Sequence, residues 1–186
     1  MNLRLETKRL ILREWSEKDV DDLVEGLNNL NVSKWLATVP YPYTKENAEN
    51  WIKLCLESDR KDGVRTSYNF AIELKSEEKV IGGMNLERIN IFQGTVGGGI
   101  WINEKYQGQG LGTEAFGARI RFAFDELKLR RIENGYFKGN SSSLKMQKKF
   151  GYKLEGMKRK SFKCMATGET MDEYVTGLLK EEWKKN

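Results

Sequence analysis

Histidine is missing from this 186-residue chain altogether. That absence removes Ser-His-Asp and Cys-His relays and every His-ligated metal site. Cysteine is scarce too. Cys55 and Cys164 stand far apart with no C-x-x-C, so neither a disulfide framework nor a zinc-binding spacing exists, and no metal is expected. The only prolines, Pro40 and Pro42, sit together and leave long stretches free for helix and sheet. No run approaches the roughly 18 apolar residues of a membrane span, so no membrane partner is expected. The start, Met1–Glu6, lacks the apolar run of a signal peptide, and a reducing cytoplasm is the expected setting.

What is present describes one soluble domain over residues 1–186. Hydrophobic residues make up 39% and charged residues 32%. A net charge of +5, from 32 basic and 27 acidic residues, could steer a polyanion, or only solubilise the surface. No nucleic-acid motif accompanies it, so no direct nucleic-acid partner is expected. The basic tail Lys180–Asn186 reads as a solvated edge.

Alternation over Leu5–Trp15 predicts a first strand. Ser16 and Asp19 form a capping-box-like pair opening a helix whose apolar face carries Leu23, Leu27 and Leu30. A loop over 31–43 holds Trp35, Tyr41 and Tyr43. Thr44 is the expected N-cap of a helix near 45–58, with Ala48, Trp51, Ile52 and Cys55 inward. Strands are expected at Ser67–Leu74, Lys79–Arg88 and Thr95–Asn103, the last containing Gly97-Gly98-Gly99, which weakens a strand and marks a bulge or close approach. Leu111–Leu127 is the clearest amphipathic helix. A strand (Arg131–Lys138), a short helix (Ser141–Phe150) and a hairpin of Tyr152–Met165 with Thr170–Leu179 complete the chain.

Between a strand and that amphipathic helix stands Gln107-Gly108-Gln109-Gly110-Leu111-Gly112. A helix N-terminus leaves four N–H groups unpaired and carries about half a positive charge. Glycines remove the Cβ atoms that would keep a phosphate away. The expected result is an anion cradle. A dinucleotide fingerprint would need glycine where Thr113 stands, and no P-loop pattern exists.

Gln107-x-x-Gly110-x-Gly112 matches the Q/R-x-x-G-x-G/A signature of the GCN5-related N-acetyltransferases. The chain resembles their ribosomal-protein (RimJ/RimL) branch along nearly its whole length. The matching pieces are Leu5–Arg13, Gly99–Asn103 through Gly112–Ala115, Arg131-Ile132-Glu133, Asn140–Ser143, Phe150-Gly151-Tyr152 with Glu155-Gly156, and Asp172-Glu173-Tyr174 to Trp183. The resemblance implies an α/β fold: a mixed, mostly antiparallel sheet of about seven strands, flanked by about four helices and splayed between its fourth and fifth strands.

It also implies an acyltransferase that uses acetyl-CoA as co-substrate and lets a neutral amine attack the thioester directly. Gln107, Gly108, Gln109, Gly110, Leu111, Gly112 and Thr113 would hold the pyrophosphate. The backbone of Ile100, Trp101 and Ile102 would hold pantetheine and the oxyanion, although the Trp101 ring could equally be core. Asn140 corresponds to the family asparagine on the pantetheine arm, or caps its helix. Many relatives place an acidic tyrosine where this chain has Gln147. The RimJ/RimL branch instead has a serine three residues after the asparagine, which makes Ser143 the candidate acid and a cofactor contact. The base is open: the branch's glutamate is Gly97 here, and Glu87, Glu133 or a water could take the proton.

The implied acceptor is a protein N-terminus; a small amine is the alternative, and a CoA-binding module without turnover the reading of another class. Trp35, Tyr41 and Tyr43 could line the acceptor site. Asp19, Asp21, Asp22 and Glu25 could attract a polyamine. The C-terminal hairpin could support a homodimer.

Overall fold

A computed structural model describes residues 3–58, 60–61 and 64–183. The last three residues of the basic tail lie outside the described residues. The elements run β1 (Arg4–Glu6), β2 (Leu10–Arg13), α1 (Val20–Leu27), α2 (Leu30–Ser33), α3 (Lys45–Ser58), β3 (Arg60–Lys61), β4 (Val64–Arg65), β5 (Tyr68–Leu74), β6 (Lys79–Asn90), β7 (Thr95–Gly97), β8 (Ile100–Ile102), α4 (Leu111–Arg121), β9 (Arg131–Phe137), α5 (Ser141–Lys149), β10 (Lys153–Lys163) and β11 (Thr170–Leu179). The main sheet has nine strands in the order β1-β2-β5-β6-β7-β9-β11-β10, with β8 also on β6. Among the described strands only β7 with β9 is parallel. β3 and β4 form a separate two-stranded hairpin.

The seven expected strands become nine because two of them break. The first, expected to run unbroken over Leu5–Trp15, folds back into the antiparallel β1–β2 hairpin. The cause lies a hundred residues away. The Glu114 carboxylate, on α4, accepts from Thr7 Oγ1 at 2.6 Å, Arg9 N–H at 2.8 Å and Arg9 Nε at 2.7 Å, and so organises the turn. Burial alone would push the Glu114 carboxyl up, but these bonds hold it below its ordinary range. The second break falls at Gly98-Gly99, between β7 and β8.

Apolar residues fill both faces of the sheet. Leu10, Leu12, Phe70, Ile72, Ile81 and Leu86 pack against Phe116, Ile120 and Phe124 from α4 and the turn that follows it. Leu23, Leu27, Ala48, Ile52 and Cys55 of α1 and α3 pack with Trp15 and Val80 on the other face. The long helix is helical where its pattern predicts, but over Phe122–Glu126 it widens to π geometry, with Leu127 N–H donating to Phe122 O at 3.0 Å.

Capping residues behave as their chemistry requires. Thr44 Oγ1 accepts from Asn47 N–H at 3.2 Å, and Asn47 Oδ1 returns the favour to Thr44 N–H at 2.9 Å. Asp19 accepts from Ser16 N–H at 2.8 Å and takes both Arg13 Nη atoms at 2.8 Å, while Arg13 Nε reaches Glu73 at 2.6 Å. Other carboxylates along α1 also have partners within the protein. Asp22 accepts from Val80 N–H at 2.8 Å, and Glu25 lies 2.6 Å from Lys79 and 2.8 Å from Lys105. These lysines hold the Glu25 carboxyl at about 2. Asp19 just before this helix and Asp22 and Glu25 on it are thus each engaged by groups of the protein itself.

Asp19 is 2% exposed; burial raises its pKa, but Arg13 and Ser16 outweigh burial and the net shift is downward. Replacing one partner of such a pair strands the other, so Asp19→Ala is expected to cost about 3 kcal/mol at neutral pH. A depressed carboxyl contributes stability that is present above its unfolded value and lost as pH falls through its folded one. Urea melts should therefore show the wild-type advantage shrinking below about pH 4; an equal gap at pH 7 and pH 3 would refute this account.

Candidate active site

The site is built around the strand that breaks. β7 pairs with β9 through Thr95↔Arg131 and Val96↔Ile132 only, while β8 pairs with β6 through Gly82↔Ile102, Gly83↔Trp101 and Met84↔Ile100. Beyond Val96, β8 and β9 diverge, as the expected splay between the fourth and fifth strands requires. Gly98 makes the break possible. Its φ is +136°, and a Cβ there would lie 2.3 Å from Asn85 O. Asn85 fixes the bulge from β6: its Oδ1 accepts from Gly99 N–H at 2.7 Å, and its own N–H donates to Gly99 O at 3.0 Å. Beneath the bulge lies Arg119 of α4, fully buried, with Nη1 donating to Asn134 Oδ1 at 3.3 Å. Burial pushes its pKa down.

The loop Gln107–Gly112 leads from β8 to the start of α4. Gly110 is the N-cap, in the left-handed region at φ +78°. The first intrahelical bond runs from Glu114 N–H to Gly110 O at 3.0 Å, so Leu111, Gly112 and Thr113 present N–H groups with no intrahelical acceptor. The amides of the two exposed glutamines fold back onto the preceding backbone. Gln107 Nε2 donates to Ile102 O at 2.8 Å, and Gln109 Nε2 to Lys105 O at 3.2 Å. The open side of Gly108 has no heavy atom within 4 Å of a built Cβ, and at Gly112 a Cβ would meet Ile102 at 3.2 Å. The loop therefore offers backbone donors and little side-chain bulk, which fits an anionic phosphate. Leu111 itself is core, 2% exposed. Arg9 braces the loop by donating from Nη1 to Gln109 O at 3.0 Å.

On β8, the Trp101 ring packs into the core: a Cβ on Gly26 would lie 2.5 Å from it, and one on Gly83 2.7 Å. The ring thus takes the core position that was one of its two readings, partly buried against the α1–α3 side of the sheet. Asn140 caps α5, its Oδ1 accepting from Ser143 N–H at 3.1 Å. Ser143 stands half-buried one turn later. Gln147, 1% exposed, donates from Nε2 to Ser143 Oγ and to Gly135 O, both at 3.0 Å, and accepts from Thr176 Oγ1 at 2.5 Å.

Glu87 lies where β6 passes from β8 to β7, opposite Gly97. Its carboxylate is 40% exposed, 2.8 Å from Arg88 Nη1, and accepts from Asn85 Nδ2 at 3.2 Å. Glu133 is 52% exposed and 3.3 Å from Arg131. Of the three loop aromatics, Tyr43 is core, Tyr41 is 45% exposed, and Trp35 reaches the start of α5, 3.5 Å from a Cβ built on Gly139. The tip of the β10–β11 hairpin closes on the same loop, Met165 N–H donating to Ala37 O at 3.0 Å.

Arg9, Asn85, Arg119 and the bonding of Gln147 were not found by sequence reasoning. Asn85 carried a signal, an amide between Met84 and Leu86 in the middle of a strand.

Comparison with known proteins agrees with this geometry. The model of an acetyltransferase (GNAT) domain matches residues 9–153. The chain is 29% identical to the N-acetyltransferase YnaD of Bacillus subtilis (strain 168), over 97% of this chain and 99% of the relative. A GNAT-family acetyltransferase from Bacillus anthracis superposes with a TM-score of 0.82 at 25% identity, covering 97% of this chain and 100% of that one. Ribosomal-protein-S5-alanine acetyltransferase from Vibrio fischeri shares the fold, with a TM-score of 0.77 at 21% identity over 99% of this chain and 100% of that one. With its glycine loop at the head of α4 and its sheet split beside it, the chain belongs to the GNAT family of N-acetyltransferases.

Proposed function

We propose that this chain transfers acetyl from acetyl-CoA directly to a primary amine, the α-amine of a protein N-terminus. Acetyltransferases of this family use acetyl-CoA as the donor. The observation that carries the reading is the start of α4. Its unpaired N–H groups open beside a sheet that parts between β8 and β9, so one ligand can place its phosphates at the helix and its arm in the split. The whole-length likeness to the ribosomal-protein branch supports the choice of acceptor.

In this reading Leu111, Gly112 and Thr113 N–H groups hold the pyrophosphate, with Gln107 to Gly110 shaping the loop. The edges of Ile100, Trp101 and Ile102 hold the pantetheine and the oxyanion. The side-chain amide of Asn140, whose oxygen is used as a cap, donates from its nitrogen to the arm. Glu87 takes the proton from the attacking amine, directly or through a water, and Ser143 supplies one to the departing sulfur. A thiol with a reference pKa near 8.5 is a moderate leaving group, so such donation accelerates its departure.

Calorimetric titration of acetyl-CoA tests the cradle. Wild type should bind, and Gly110→Trp, which fills the open side of the loop, should weaken binding at least roughly tenfold. Absence of binding by wild type would end the proposal. A panel of N-terminal peptides, polyamines, amino acids and aminoglycosides, read by CoA release, tests the acceptor; turnover on small amines alone would reassign it.

Two substitutions test the roles. Ser143→Ala should lower kcat by roughly a hundredfold while leaving the KM for acetyl-CoA nearly unchanged. Glu87→Gln should lower kcat/KM by roughly tenfold or more, and Glu133→Gln should not; the reverse pattern would move the base to Glu133.

A further inference from the structure

Ser143 accepts a hydrogen bond from Gln147 Nε2 at 3.0 Å. This fixes what the serine can do. A hydroxyl has one proton and two acceptor lone pairs. With Gln147 donating into one lone pair, the proton of Ser143 must point elsewhere. Serine inside a helix commonly spends that proton on a carbonyl three or four residues back. Ser143 Oγ donates to no protein acceptor among the described residues. Its one bonded neighbour pushes it to act as a donor.

The orientation of the Gln147 amide is itself determined. Its two N–H groups are directed at Ser143 Oγ and at the carbonyl oxygen of Gly135, and its oxygen receives the Thr176 hydroxyl. A flipped amide would set its oxygen against the Gly135 carbonyl oxygen, two acceptors with no proton between them. At 1% exposure no water competes for these positions. Three elements, β9, β11 and α5, thus hold one amide, and that amide holds the serine.

We propose that Gln147 is a positioning residue for the transfer: it locks Ser143 as a proton donor aimed at the leaving sulfur. The inference rests on the reading of Ser143 as the acid and deepens it. A glutamine where many relatives carry a tyrosine is then not a lost acid but the support of a different one. During transfer the amine nitrogen forms the C–N bond and gives its proton to a carboxylate or water. The C–S bond breaks, its electron pair goes to sulfur, and sulfur takes a proton through Ser143, which water replaces.

The test is a double-mutant cycle on the intact protein, with acetyl-CoA as donor and the best amine of the panel as acceptor. Gln147→Leu keeps the volume and removes all three bonds. It is expected to lower kcat roughly tenfold, with little change in the KM for acetyl-CoA. In the Ser143→Ala background the same substitution should change kcat by less than about twofold, because its effect is routed through the serine. Thr176→Val, which releases only the far end of the amide, should give a smaller loss in kcat and likewise none beyond Ser143→Ala. It carries the test if Gln147→Leu does not fold. Thermal melts of each variant separate stability from rate. Full additivity with Ser143→Ala, or a loss confined to KM, would overturn the role of Gln147 and leave Ser143 as the acid. An undiminished Ser143→Ala would overturn the acid itself.

Discussion

A strand that stops pairing leaves backbone donors and acceptors with nothing to bond, and buried groups of this kind are costly. That constraint governs this molecule. Past Val96 the ladder between β7 and β9 ends, and β8 turns to β6 alone. The two facing edges are left to be satisfied by water or by a ligand that carries its own amides. In the proposed function, an extended arm with alternating donors and acceptors is what would fill this split, with its phosphates at the glycine loop. Asn85 makes the break permanent, because its side chain occupies the Gly99 N–H that a regular strand would give to a neighbour.

The parts of the fold legible in the sequence were those set by local pattern. The α4 stripe, the Thr44 cap, the C-terminal hairpin and the glycine loop are written in residues that stand close together. The β1–β2 hairpin was not legible, because its turn is organised by Glu114, far along the chain. Alternation over Leu5–Trp15 fits one strand as well as two. The Gly97–Gly99 run announced a weak point in a strand, but not that Asn85 would staple it. At Asn140 the sequence left a cap and a ligand contact as competing readings; the structure shows the cap, which uses the amide oxygen alone.

Charge on the surface misleads in a similar way. Asp19, Asp21, Asp22 and Glu25 suggest an amine-binding face in the sequence, and the structure adds a second use for Asp19, Asp22 and Glu25. Each of these three meets a cation or backbone donor that ties the helix to the sheet. Their spacing on one helical face is the same in either case, and only the partner contributed by a distant strand separates the two meanings. Gln147 shows the converse. Read alone it is the absence of a phenol; placed among Thr176, Gly135 and Ser143 it is a three-point joint.

The helix α4 is bonded at its first and last turns to parts of the sheet that lie on opposite sides of the break. Glu114 ties its first turn to the β1–β2 hairpin, and Arg119 ties its last to Asn134 on β9. Mechanically the sheet is two plates meeting along a line two residue pairs long, and α4 is the strut between them. A strut of fixed length sets an angle. The bracing continues past the helix: in the π turn after Arg121, Phe124 O accepts from Lys180 Nζ at 2.9 Å, so the end of β11 holds the same rod on the β9 side.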